Sequence, residues 1–259
     1  MKNIIDVSDN QGVIDWEKVK GQIDGAMIRC CWSYGEYNDT QFIRNISECN
    51  RLGIPCGVYL MAYPLNDEEA RLEAEWCLEI IKPYRLELPV AWDFEYDSVD
   101  YCARHGLTVT KEMATKWAHI FLETIEKAGY WATLYANADF LNRYYEKDIE
   151  KRFDLWYAGW VEGTPEYESE LSYACGIWQY GLRLYDGIQD GKKGVDSNYC
   201  YKDYPMLLHW YGLNRLDEPK ETRPDYIITA EKHGFDINNP TEAATKEDIW
   251  KLLHILKGE

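Results

Sequence analysis

The chain has 259 residues, a net charge of −17 and a pI near 4.7. That length can bury one barrel-sized core with a short appendage. No block of Lys or Arg could track a phosphate backbone, which excludes nucleic acid as a partner, and no apolar stretch approaches the roughly 20 residues that span a bilayer. Eight cysteines are scattered without a C-x-x-C or paired histidine spacing. They read as small buried hydrophobes kept reduced, with no structural zinc and no cofactor implied.

Met1-Lys-Asn-Ile-Ile-Asp6 enters a strand at once, with no charged, apolar and cleavable leader ahead of it. Further strands are read at 26–32, 56–63, 88–95, 131–136, 155–160, 176–180 and 195–199, after a first at 4–8. Between the early ones lie helices. One spans about 40–52. A second opens at Asn66 with an acid three residues on and stops before Pro83. A third starts near Thr110, carries Met113, Trp117, Ile120, Phe121 and Ile125 on one stripe, and ends at Gly129. Eight strands with helical crossovers predict an α/β fold of (β/α)-barrel type. From Phe153 to Tyr199 the connections are rich in Gly, Pro and Tyr and carry no amphipathic helix, so fewer helices than strands are expected.

Beyond Pro205 the character shifts. All eight cysteines and nine of the eleven tryptophans lie before it. The reading is a barrel over 1–209, a proline-bearing linker over 210–224 and a small, mainly helical region of unknown role over 225–259. Its last helix has an apolar stripe of Ile249, Leu252, Leu253 and Leu256, to be covered by the barrel, by the rest of the tail, or by a second chain through self-association.

The segment Leu88-Pro-Val-Ala-Trp-Asp-Phe-Glu-Tyr96 puts Asp93 and Glu95 on one face of a strand, with Cα atoms roughly 6.5–7 Å apart. Two acids side by side in a dry place each raise the work of ionising the other, an arrangement suited to glycoside hydrolysis. Acidic pairs also occur at solvated strand ends and as metal ligands. Asp6, Asp93, Glu95 and Asp196 all fall at or near strand ends, and closure of the barrel brings Asp6 and Asp196 to the same mouth. Aromatic rings at Trp32, Tyr59, Tyr63, Tyr135, Trp156, Trp160 and Trp178 lie on or just after strands, where they either fill the core or stack on sugar rings. Gln179, with these tyrosines, supplies the polar tips that hydroxyls need.

Ile5-Asp-Val-Ser-Asp-Asn-Gln-Gly-Val-Ile-Asp-Trp16, Ile28-Arg29, Gly53-Ile-Pro-Cys-Gly-Val-Tyr59, Asp93-Phe-Glu95, Gly129 with Leu134-Tyr135, Leu155-Trp-Tyr-Ala158, Trp178-Gln-Tyr180 and Gly194-Val-Asp-Ser-Asn198 appear in that order. Together, over about residues 3–204, they resemble the family 25 glycoside hydrolases, the CH-type lysozymes found among phage endolysins. The resemblance implies a flattened barrel of eight strands and about five helices. It also implies hydrolysis of the β-1,4 bond between N-acetylmuramic acid and N-acetylglucosamine in peptidoglycan. Glu95 then matches the general acid/base and Asp93 the partner carboxylate. Asp6 and Asp196 match the two other acids of the groove floor. Arg29, Tyr59, Tyr63, Tyr135, Trp160, Trp178 and Gln179 are the expected substrate-binding residues. Leu60-Met-Ala62 stands where many members carry a more polar or aromatic run. The protein is expected to be made in the bacterial cytoplasm and to reach the wall after release.

Carboxylates this close leave little room for a water between them, so retention is favoured. Two routes remain, a carboxylate nucleophile or attack by the sugar's own 2-acetamido oxygen, and the resemblance favours the second. A non-catalytic glycan-binding module would keep the aromatics without needing both acids. A metal-dependent hydrolase using the four acids would lose activity in EDTA.

Overall fold

A computed structural model describes residues 2–35, 38–161, 173–188 and 194–216. All eight expected strands are present. They are β1 (Lys2–Val7), β2 (Gly25–Trp32), β3 (Cys56–Met61), β4 (Val90–Asp93), β5 (Ala132–Asn137), β6 (Asp154–Ala158), β7 (Ile177–Arg183) and β8 (Val195–Cys200), closed into one barrel in chain order. The first seven run parallel to their neighbours in the series, whereas β8 is antiparallel to both β7 and β1. Parallel neighbours need a long crossover, usually a helix, while antiparallel neighbours need only a loop. The reversed β8 thus needs no helical crossover from β7, whereas β6 and β7 are parallel and most of their connection, 162–172, lies outside the described residues.

Eight α-helices are described: α1 (Trp16–Val19), α2 (Phe42–Leu52), α3 (Asp67–Ile81), α4 (Tyr96–Arg104), α5 (Lys111–Lys127), α6 (Ala138–Arg143), α7 (Ile149–Arg152) and α8 (Tyr204–Tyr211). Five of them have eight residues or more. The Asn66 side chain caps α3 by accepting the Glu69 N–H, and the Glu69 carboxylate accepts from Leu65 N–H in return. Thr110 caps α5 in the same way, through Met113 N–H.

The strand that carries the acid pair shows how packing fixes the site. Trp92 and Phe94 point outward from β4 into the helical layer, against Phe121 at 4.8 Å and Trp117 at 6.0 Å between ring centroids. Both are fully buried, worth about 2–3 kcal/mol each. By alternation Ala91 and Asp93 must then face the barrel interior, and the extended backbone at Glu95 (φ −136°, ψ −160°) carries the alternation one step past the strand. Inside the barrel, Ile4, Met27, Ala91, Trp156 and Ile177 form a packed apolar floor beneath the acids. Gly57 lets β3 join that floor, because a Cβ there would sit 2.4 Å from the Pro89 carbonyl oxygen and 2.8 Å from the Met27 sulfur. All eight cysteines are buried free thiols.

The expected boundary at 209 falls inside α8, which closes the bottom of the barrel. Tyr204, Leu208 and Leu216 pack there with Leu88 and Trp131. Asn214, read from sequence as linker, is buried. Its side chain accepts the Trp131 N–H and donates to the Leu86 and Leu88 carbonyls, and its N–H donates to Gly129. The barrel therefore extends at least to Leu216, and the rest of the expected linker and the C-terminal helix lie outside the described residues. Asn214→Ala would strand three buried backbone groups and leave alanine at a φ of +54°, a loss on the order of 3 kcal/mol. A chain cut at 209 should lose at least as much, whereas one cut at 216 should melt within a few degrees of full length. Thermal melts of the three should show drops of about 6–12 °C for the first two; equal melting of the 209 and 216 chains would remove Asn214 from the core.

Candidate active site

The mouth of the barrel at the C-terminal ends of β1 to β7 holds a cavity of about 250 Å³. Asp6, Asp93, Glu95 and Asp196 all line it, with Arg29, Tyr59, Tyr63, Tyr135 and Gln179. Asp196 arrives there by a route other than the one expected. It lies at the start of β8, and the reversal of that strand brings its beginning to the mouth where the other strands end.

Asp6 is fixed by two amides. Its Oδ2 accepts from Gln179 Nε2 at 3.1 Å and from Asn198 Nδ2 at 2.8 Å. Asn198 in turn accepts from Trp156 Nε1 at 2.7 Å, and the Trp156 ring is met edge-on by Tyr135 at 4.8 Å and by Tyr59 at 5.8 Å. Gln179 Oε1 accepts from both Tyr135 Oη and Trp160 Nε1. An amide held from three sides cannot rotate, so the acid, the aromatic wall and the exposed Trp160 at the rim are one hydrogen-bonded unit.

Asp93 is different. It is buried and its Oδ1 has no hydrogen-bond partner. Burial, followed by the charges of Glu95 and Asp6, pushes its carboxyl well above the usual carboxylate range, and Arg29 offsets part of this. Glu95 is half-buried at the N-cap of α4, a helix not foreseen from sequence, and its N–H donates to the Ser98 hydroxyl. Burial, then Asp97 and Asp6, raises its carboxyl as well. Asp6 is pushed up to about 6 by burial, against the pull of its two amide donors. The mouth thus gathers acids that hold protons longer than free carboxylates do, the condition for proton transfer near neutrality.

Two expected residues are placed otherwise. Trp178 faces outward, fully buried against Tyr180 and Tyr199, with its indole donating to the Gly159 carbonyl. Neighbours on a strand point to opposite faces, so Gln179 and Trp178 cannot both reach the mouth. The Arg29 guanidinium lines the cavity but is bound to Asp9 and Asp39. Asp97, Trp32 and Trp156 line the mouth, and Asn198 holds Asp6 there, without having been chosen as site residues. Trp32 and Trp156 were visible as strand-end aromatics, and Asn198 as part of the Gly194–Asn198 motif.

A sequence profile of the glycosyl hydrolases family 25 matches residues 5–186. The chain belongs to glycosyl hydrolase family 25. Among solved structures, the family 25 chain is similar to the modular autolysin LytC from Streptococcus pneumoniae in complex with a synthetic peptidoglycan ligand. Identity is 30% over 76% of this chain and 46% of that one, with a TM-score of 0.63. A family 25 glycosyl hydrolase from Bacillus anthracis matches at 25% identity, covering 78% of this chain and 89% of that one, TM-score 0.61. The catalytic domain of endolysin ply40 from bacteriophage P40 of Listeria monocytogenes shares the fold at 20% identity, covering 79% and 95%, TM-score 0.62. The chain spans about half the length of LytC. No curated protein sequence matches it.

Behind the mouth sits a further acid that sequence reading passed over. Glu73 on α3 is completely buried, accepts the Tyr63 N–H at 2.8 Å, and is pushed up to about 8 by burial. Glu73 and Asp6 both have folded values above their ordinary ones, so the folded chain binds more protons and stability must fall as pH rises through about 6 and then about 8. Glu73→Gln should cancel the upper part, stabilising the protein at pH 8.5 relative to pH 5 by roughly 3 kcal/mol. Denaturant unfolding at the two pH values checks this, and parallel pH dependence in both proteins would show that Glu73 does not titrate there.

Proposed function

We propose that this family 25 protein is a peptidoglycan hydrolase, an N-acetylmuramidase that cleaves the β-1,4 bond from N-acetylmuramic acid to N-acetylglucosamine with retention of configuration. The observation that carries the reading is the carboxyl pair of Asp93 and Glu95, both lining the mouth and both raised by burial. Asp93 lines the cavity beside Glu95, where its carboxyl can accept the N–H of a 2-acetamido group. Glu95, protonated, gives its proton to the glycosidic oxygen as the bond breaks. The acetamido oxygen attacks the anomeric carbon, closing an oxazolinium ring whose positive charge Asp93 faces and whose N–H it holds. Glu95, now ionised, takes a proton from water, which opens the ring from the side the leaving group vacated.

The two carboxyls support each other's roles. Glu95's charge is one of the causes that hold Asp93 protonated, so a proton on Glu95 favours the ionised Asp93 that the ring needs. Asp6 and Asp196 complete the acidic floor, while Tyr59, Tyr63, Tyr135 and Trp160 offer faces and hydroxyls to the sugar rings. Among the described residues no three His, Cys, Asp or Glu side chains are grouped to hold a metal ion. Mass spectrometry of digested peptidoglycan is the test. New reducing-end muramic acid is expected, and reducing-end glucosamine instead would overturn the assignment.

A further inference from the structure

Among the described residues that line the mouth, five are acids and one, Arg29, is a cation. Arg29 is buried, its Nε donates to Asp39 Oδ2 at 2.9 Å and its Nη2 to Asp9 Oδ1, and its guanidinium lies 4.0 Å from the centre of the Trp32 ring. Both acids are themselves anchored. Asp39 accepts the N–H groups of Asp9 and Gln41, and Asp9 accepts from the Thr40 hydroxyl.

Trp32 should not face the cavity at all. With Arg29 pointing inward, strict alternation sends Cys30 and Trp32 outward. The β2–β3 register shifts between Arg29 and Cys31, and this bulge inserts one residue. Cys30 and Cys31 both end in the helical layer, with sulfurs 3.6 Å apart, and Trp32 turns back to the mouth above Arg29. The chain then leaves sharply, Ser33 taking a φ of +52°. An aromatic wall standing at the end of a bulged strand needs something to fix its plane, and a planar guanidinium clamped from two sides supplies it.

From this geometry we infer that Arg29 is a positioning residue. Clamped by Asp9 and Asp39, it holds the bulge-displaced Trp32 ring as a wall of the groove and supplies the positive charge that lets Asp93 ionise among its acidic neighbours. Its Nε and Nη2 are committed to Asp39 and Asp9, and it acts on the site through the Trp32 ring and through its charge. The inference rests on the glycan-hydrolase reading of the same site.

The test compares Arg29→Gln, Arg29→Lys and Trp32→Ala with the wild type. Carbon-detected NMR titration of the Asp93 carboxyl, which needs no turnover, should show its midpoint about 1 unit higher in Arg29→Gln and near wild type in the other two. With soluble glycan, KM should rise severalfold in Trp32→Ala and in Arg29→Lys, whose ammonium keeps the charge and loses the planar fork. The limb of the kcat/KM profile that reports Asp93 should move only in Arg29→Gln. An Asp93 midpoint unmoved in Arg29→Gln, or a wild-type KM in Arg29→Lys, overturns the inference. Should Arg29→Gln fail to fold, the KM comparison of Arg29→Lys with Trp32→Ala still decides the positioning role. A wild type that turns over no peptidoglycan would sink the hydrolase reading instead, and the NMR titration would still judge Arg29.

Discussion

Glu95→Gln is expected to lower lysis by about 10²–10⁴-fold while leaving the fold and glycan binding in place. The amide keeps the shape at the N-cap of α4, and the hydrogen bond that fixes this position, from the Glu95 N–H to the Ser98 hydroxyl, belongs to the backbone. What the amide cannot do is give up a proton and then receive one. The native carboxyl is raised by burial and by Asp97 and Asp6, so removing it also removes a charge that opposes ionisation of Asp93. Substrate should therefore bind as well as before or slightly better, and the loss should appear in kcat. Turnover of soluble glycan measured beside binding of the same glycan separates the two. Residual activity above about a tenth of wild type would exclude Glu95 as the general acid, since that group's contribution starts near a hundredfold.

How much of this site could be read from the chain depends on which rule each residue obeys. Asp93 and Glu95 obey alternation, and alternation is visible in Trp92-Asp-Phe-Glu95 because the intervening aromatics are large and apolar. The eight strands were legible for the same reason: short β-branched and aromatic runs between polar turns. Trp178 was misplaced by one step of that period, since its type suits the mouth as well as the core and only the register decides. Trp32 was beyond the rule, because a bulge is a departure from period two that no residue type in Arg29-Cys-Cys-Trp32 announces. Asp196 reached the mouth through the reversal of β8, which no residue type in Gly194-Val-Asp196 announces. α4 was missed because it is only nine residues long, although Val99, Cys102 and Ala103 lie on one face of it. Asn214 looked like linker because a polar residue near a proline usually is one. Its role follows from the exposed strand starts and loop carbonyls at the bottom of the barrel, which only the closed structure brings together.

Asp93→Asn should damage turnover more than binding. In the proposed reaction the acetamido group's positive charge develops only as the oxazolinium ring closes, so a neutral amide removes an interaction made in the transition state and keeps much of the one made in the ground state. That pattern lowers kcat and kcat/KM together with little change in KM. The direction of the local electrostatics agrees. Asp93 is held protonated in the free protein by burial, by Glu95 and by Asp6, so its charge is costly until substrate brings a donor to the carboxyl and excludes water. Asparagine imitates the protonated acid in shape and charge, and it should fold at least as stably as the wild type, because it spares the proton uptake that folding imposes on the raised Asp93 carboxyl. A more stable and much slower enzyme is the expected signature, on the order of 10²-fold or more in kcat. A glycan lacking the 2-acetamido group then discriminates the two retaining routes. If the wild type cleaves it nearly as fast as the natural strand, the acetamido oxygen is not the nucleophile, and the carboxylate of Asp93 would have to attack the anomeric carbon itself.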